Sequence, residues 1–118
     1  MKSHKDLIVW QKSMLLVKRL YEITSSYPKD EIFGITSQMR RAAVSIPSNI
    51  AEGYGRLYEK DTVRFLSTAL GSASELETQM LISKQLMLAS DQELDDLLML
   101  NNEIIRMLVA LAKKLSNQ

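Results

Sequence analysis

The chain has 118 residues, 46% hydrophobic and 25% charged, with four glycines, two prolines, no cysteine, one histidine and a net charge of +1. That size and balance fit one soluble domain over residues 1–118 and exclude a turn-rich sandwich, a collagenous repeat and a disordered chain. No apolar run reaches the ~18 residues of a membrane span and no export leader is present, so a cytoplasmic protein is expected; with His4 alone and no thiol, no metal, haem, iron–sulfur or other cofactor is expected either.

Four helices are predicted, with no competing strand signal. The first, about residues 7–26, stops before Pro28, whose ring disfavours helix at Tyr27. Its inner stripe reads as Leu7, Trp10, Met14, Val17 and Tyr21. Val9, Leu16, Leu20 and Ile23 widen the apolar arc to about half the circumference, where about 100° suffices, and this surplus calls for cover by loops or by another subunit. The second helix, about residues 35–52, buries Ile35, Met39, Ala42, Ala43, Ile46 and Ile50 and ends at Gly53-Tyr54-Gly55, where glycine permits a left-handed exit. Pro47 in its interior removes one hydrogen bond and predicts a kink.

The third helix, about residues 59–88, has a seam of Leu66, Ala69, Ala73, Leu76, Met80, Ser83 and Met87. On the side away from that seam Ser67, Gly71, Ser74 and Thr78 form a small-residue face, a candidate oligomer interface, since glycine in a helix costs roughly 1 kcal/mol relative to alanine. The fourth, about residues 91–115, opens with Ser90 and Glu93 in capping-box spacing and has a seam of Leu94, Leu97, Asn101, Ile104, Leu108, Leu111 and Leu115. Together these predict an all-α fold, an antiparallel up-down four-helix bundle in which Asn101 fixes register.

No enzyme constellation emerges. A carboxylate di-iron bundle needs Glu-x-x-His pairs on facing helices, and the single histidine sits in the N-terminal tail, where it reads as solvated. Gly53-Tyr54-Gly55-Arg56 lacks the preceding strand and the Lys-Ser/Thr of a phosphate-binding loop, so helix termination explains it better. The methionines, Met14, Met39, Met80 and Met107 among them, read as packing residues. Glu77 falls within an apolar arc and needs a cation, so Arg40 or Arg41 is expected to pair with Glu77 or Glu75 in a structural ion pair.

The stretch Tyr27-Pro28-Lys29 to Gly34, then Gln38-Met39-Arg40-Arg41-Ala42-Ala43, then Ser45-Ile46-Pro47-Ser48-Asn49-Ile50-Ala51-Glu52-Gly53-Tyr54-Gly55-Arg56 resembles the bacterial four-helix-bundle proteins encoded in intervening sequences of 23S ribosomal RNA genes. Trp10-Gln11-Lys12 before it and Phe65-Leu66, Ala69, Gly71-Ser72 and Glu75-Leu76-Glu77-Thr78 after it extend the likeness over nearly the whole chain. The chain departs from the family pattern at Tyr58, often Ser or Thr there, which removes a helix cap, and at Thr62, where an aromatic residue is favoured. The resemblance implies a barrel-shaped homopentamer. It also extends to the accessory variability protein of diversity-generating retroelements, a basic pentamer that works with a reverse transcriptase and its RNA.

Two functions follow as expectations. In the first, the protein is a non-enzymatic homo-oligomeric adaptor that binds structured RNA or a ribonucleoprotein partner, with Arg40, Arg41, Arg56, Lys60 and Arg64 on phosphates. In the second it is a protein–protein assembly scaffold without nucleic-acid contact. The charge favours neither: residues 1–70 sum to +4 and residues 71–118 to −3, a mild asymmetry that mutual pairing within a bundle can absorb.

Overall fold

Residues 3–117 are described by a computed structural model, in which the apolar periodicities fold into four helices: α1 (Ile8–Thr24), α2 (Ile35–Tyr54), α3 (Glu59–Gln85) and α4 (Asp91–Ser116). Single 3₁₀ turns lie at His4–Asp6 and Lys29–Glu31. The start of α4 is built as its spacing predicts: the Ser90 hydroxyl accepts from the Glu93 N–H at 3.1 Å and the Glu93 carboxylate accepts from the Ser90 N–H at 3.3 Å. At the other end of the α3–α4 turn, α3 stops three residues earlier than periodicity suggests. The Leu88 N–H reaches back to the Ser83 carbonyl at 3.0 Å and the Met87 N–H to that of Lys84 at 3.1 Å. This Schellman closure places Met87 at φ +54°, a left-handed position usually given to glycine.

The bundle is a rod of 45 × 23 × 20 Å. Around it α1 packs on α2 and α4, and α3 on α2 and α4, with no close approach across either diagonal among the described residues. Contacts between α2 and α3 fall in opposite order along the two helices: Gly53 with Thr62, Ser45 with Ser72 (hydroxyls 2.8 Å apart) and Met39 with Ser83. The two helices therefore run antiparallel. The same holds for α3 and α4, joined by Lys84 to Asp95 and by the Asn101 side-chain amide, which donates to the Ala73 carbonyl at 2.9 Å. Asn101 is fully buried, and this bond locks the axial register of the two long helices.

The expected seams of α2, α3 and α4 are the observed core, except that Met87 is exposed and Ile35, Leu111 and Leu115 are only partly buried. In α1 the buried face is rotated from the expected one. Val9, Ser13, Leu16, Leu20 and Thr24 point inward, whereas Met14 and Tyr21 are 46% and 41% exposed. Two buried hydroxyls on that face remain satisfied by their own helix: Ser13 donates to the Trp10 carbonyl and Thr24 to that of Leu20, both at 2.8 Å.

The α2–α3 contact is tightest where α2 ends. The expected left-handed exit is not used, because none of the described glycines has positive φ and Gly55 closes the helix at φ −85°. Gly53 serves close approach instead. A Cβ there would lie 2.9 Å from the Phe65 Cβ and 3.1 Å from the Thr62 carbonyl oxygen, both held by α3.

Two stability measurements test these assignments. Gly53→Ala is expected to destabilise the protein by about 1–3 kcal/mol in urea titration, because the overpacking outweighs the helix-propensity gain of about 1 kcal/mol; a stabilised variant would refute the close contact. Met87→Gly is expected to stabilise by about 1 kcal/mol, since the left-handed backbone is relieved while an 85%-exposed side chain sacrifices little packing. A loss of stability there would show that the Met87 side chain holds the turn.

Candidate functional site

The turn from α2 to α3 is organised by a threonine in place of a cap. Tyr58 occupies the N-cap of α3 and supplies no side-chain cap bond, as its departure from the family pattern predicts. Thr62, one turn in, donates its hydroxyl to the Gly53 carbonyl at 2.7 Å and so ties the first turn of α3 to the last turn of α2. Arg56 follows directly, with its guanidinium 4.7 Å from the centre of the Phe65 ring and 3.0 Å from the Glu52 carboxylate. Arg64 approaches the same ring at 5.6 Å and pairs with Asp61 at 3.6 Å. Both guanidiniums thus lie over the Phe65 ring while remaining exposed at the surface. Lys60, between them in sequence, is exposed and enters no ion pair. Burial raises the pKa of the neighbouring Tyr54 phenol, and the charge of Glu59 adds to the effect.

Arg40 and Arg41 do not join this cluster. They lie some fifteen residues earlier on α2, about 23 Å along its axis at 1.5 Å per residue. Arg40 is turned toward α1, where its Nε donates to the Thr24 hydroxyl at 3.0 Å and its guanidinium lies 4.4 Å from the Tyr21 ring centre. Arg41 is exposed. The expected ion pair with Glu75 or Glu77 is not formed: the pairs among the described residues are Lys12–Glu103, Glu52–Arg56, Asp61–Arg64 and Lys84–Asp95. The reason is a competing partner, because the end of α1 offers Arg40 both a hydroxyl and an aromatic face on the flank of α2 away from α3. Glu77 is half-buried and Glu75 exposed, so solvent reaches both carboxylates.

Folding also sorts the charges along the rod. The half built from residues 3–15, 46–70 and 103–117 contains eight Lys and Arg against five Asp and Glu, a balance of +3. The half built from residues 16–45 and 71–102 contains six against nine, a balance of −3. The basic end includes Lys113 and Lys114 in the last turn of α4, which sequence reasoning passes over because basic residues there complement the helix dipole. Leu115 and Ser116 line one shallow depression with Glu59, Lys60 and Val63, which places the end of α4 beside the start of α3.

Two faces of the protomer are left open. Ser67, Gly71, Ser74 and Thr78 are all exposed on α3, and a Cβ at Gly71 would meet nothing within 4 Å. Between α1 and α2, the side chains of Trp10, Met14, Val17, Val44, Pro47 and Ala51 line an apolar groove. His4 is not a free tail residue, since its ring packs edge-on against Trp10 with centroids 5.2 Å apart. Among the described residues no group of three or more His, Asp and Glu is placed to hold a metal ion, and no helix is long and apolar enough to cross a membrane.

A comparison with curated proteins gives no match. Among solved structures, a protein of unknown function from the S23 ribosomal protein family of Bacteroides thetaiotaomicron VPI-5482 has the same fold, with a TM-score of 0.81 at 22% identity over 90% of this chain and 99% of that one. The model of the 23S rRNA-intervening sequence protein family matches residues 5–110, and the chain belongs to that family.

Proposed function

We propose that the protein is a non-enzymatic homo-oligomeric adaptor whose basic end binds structured RNA. The observation that carries this reading is the placement of Arg56, Lys60 and Arg64 in the same end of the rod as Lys113 and Lys114, in a rod that is nearly neutral as a whole. Net charge of +1 gives no affinity for a polyanion, but a segregated +3 end presents a local positive field that a polyanion meets first. One protomer supplies few phosphate contacts, and its affinity at physiological salt is low. Repetition of the same end in an assembly raises the effective concentration of every contact after the first, so oligomerisation and RNA binding are parts of one mechanism.

Assembly is supported by the two open faces, the apolar α1–α2 groove and the small-residue stripe on α3, which lie on different sides of the bundle. Distinct faces on one protomer suit head-to-tail association, which closes into a ring when the rotation allows. The family resemblance supplies the number five.

Light scattering at micromolar concentration is expected to give a mass several times the 13.4 kDa of the chain. Gly71→Leu is expected to dissociate that species without loss of helical circular dichroism, and an assembly that survives it places the interface elsewhere. In anisotropy titrations with structured RNA, binding is expected at low salt and should weaken steeply as salt is added, through counterion release. Arg56→Ala combined with Lys60→Ala should weaken it by about tenfold or more. No binding at low salt and tens of micromolar protein would favour the alternative, a protein scaffold that touches no nucleic acid.

A further inference from the structure

We propose that the basic end recognises unpaired nucleotides, with Tyr58 as a stacking platform for a base and Lys60, Lys113 and Lys114 on the flanking phosphates. The inference rests on the RNA reading above and adds the form of RNA that the surface accepts. Tyr58 is 69% exposed and Leu57 beside it 91% exposed, so the α2–α3 turn, in the basic half of the rod, projects two apolar side chains into water. The other aromatic residues of this region are less available, since Tyr54 is half-buried and the Phe65 ring already lies against Arg56 and Arg64.

The free cations point the same way. Arg56 and Arg64 are engaged by Glu52, Asp61 and Phe65, whereas Lys60, Lys113 and Lys114 enter no ion pair among the described residues. A lysine is a point charge suited to phosphate, and no unengaged arginine fork is left at this turn to read base edges. Shape excludes major-groove readout as well. The end of the rod is a blunt face whose two short dimensions are 23 and 20 Å, and the major groove of an RNA duplex is too narrow and deep even for side chains to read. An exposed aromatic ring two residues from Lys60, at the same end of the rod as Lys113 and Lys114, matches single-stranded recognition, where stacking is tolerant of sequence and the backbone is held by charge.

The test uses three labelled RNAs at low salt: a hairpin, its stem as a blunt duplex, and its loop as a single strand. The hairpin and the single strand are expected to bind about tenfold or more tighter than the duplex, the range of one base–aromatic stack. Tyr58→Ala should abolish that preference and Tyr58→Phe should retain it, both with unchanged helical circular dichroism. Lys113→Ala with Lys114→Ala should weaken every RNA and reduce the slope of log affinity against log salt by about 1 to 2. Equal binding of hairpin and duplex, or a preference that persists in Tyr58→Ala, overturns the inference while the RNA reading stands. Absence of binding to all three RNAs overturns the RNA reading itself.

Discussion

The bond from the Thr62 hydroxyl to the Gly53 carbonyl, made where α2 and α3 leave no room for a Cβ, governs much of what this protein presents to its surroundings. It joins the end of one helix to the beginning of the next and fixes the short turn between them. That constraint decides where Arg56 emerges, brings Phe65 under it, and orients the first turn of α3 so that Arg64 reaches the same ring. A conventional hydroxyl cap at position 58 would satisfy the first amides of α3 but would not reach across to α2. The chain instead places an exposed tyrosine at the cap and lets a threonine one turn later make the inter-helix tie.

The interior follows the same economy of polar groups. Asn101 lies across the α3–α4 interface and donates to a backbone carbonyl, so axial sliding of one helix along the other breaks a buried hydrogen bond. Ser13 and Thr24 are buried on α1 because each hydroxyl turns back onto a carbonyl of its own helix. Thr24 has a second use, accepting from Arg40 and so attaching that guanidinium to the end of α1. Ser13, Thr24 and Asn101 are thereby given partners in the core, whereas the Thr36 hydroxyl and the Gln79 side-chain oxygen are buried without one, and the rest of the packing is left mainly to Leu, Ile, Met and Ala.

How much of this the amino-acid sequence reveals depends on how sharply each pattern discriminates. The seam of α4 is legible because its charged residues from Asp95 to Lys114 keep to the opposite side of the helix, and its capping box marks the start within a residue. In α1 the apolar arc spans about half the helix, so periodicity cannot choose between the face with Trp10, Met14 and Tyr21 and the face with Leu16 and Leu20; Ser13 and Thr24 look like solvent-side residues until their back-bonding is seen. The end of α3 was illegible for a different reason, since Met87 occupies a backbone position for which glycine is the usual signal. Arg40 has two possible partners, a carboxylate on α3 or the hydroxyl and ring on α1, and only the three-dimensional placement of α1 decides between them. The cluster at the α2–α3 turn is local in sequence and legible there; Lys113 and Lys114, half a chain away, share its end of the rod only because antiparallel packing sets the last turn of α4 beside the first of α3.

The charge separation along the rod has a consequence for orientation. A body 45 Å long with +3 in one half and −3 in the other is an electric dipole, and in the field of a highly charged polymer it experiences a torque as well as a force. Encounter then selects one pole over the other before any short-range contact forms. If protomers in a closed ring all point the same way, their dipoles add, and the ring has one positive and one negative rim. Two such rings attract rim to opposite rim, with a range set by a Debye length of about 8 Å at physiological salt. In a ring bound to a polyanion as proposed above, the basic rim faces the polymer, and the acidic rim, several Debye lengths away, faces outward and feels little of its field.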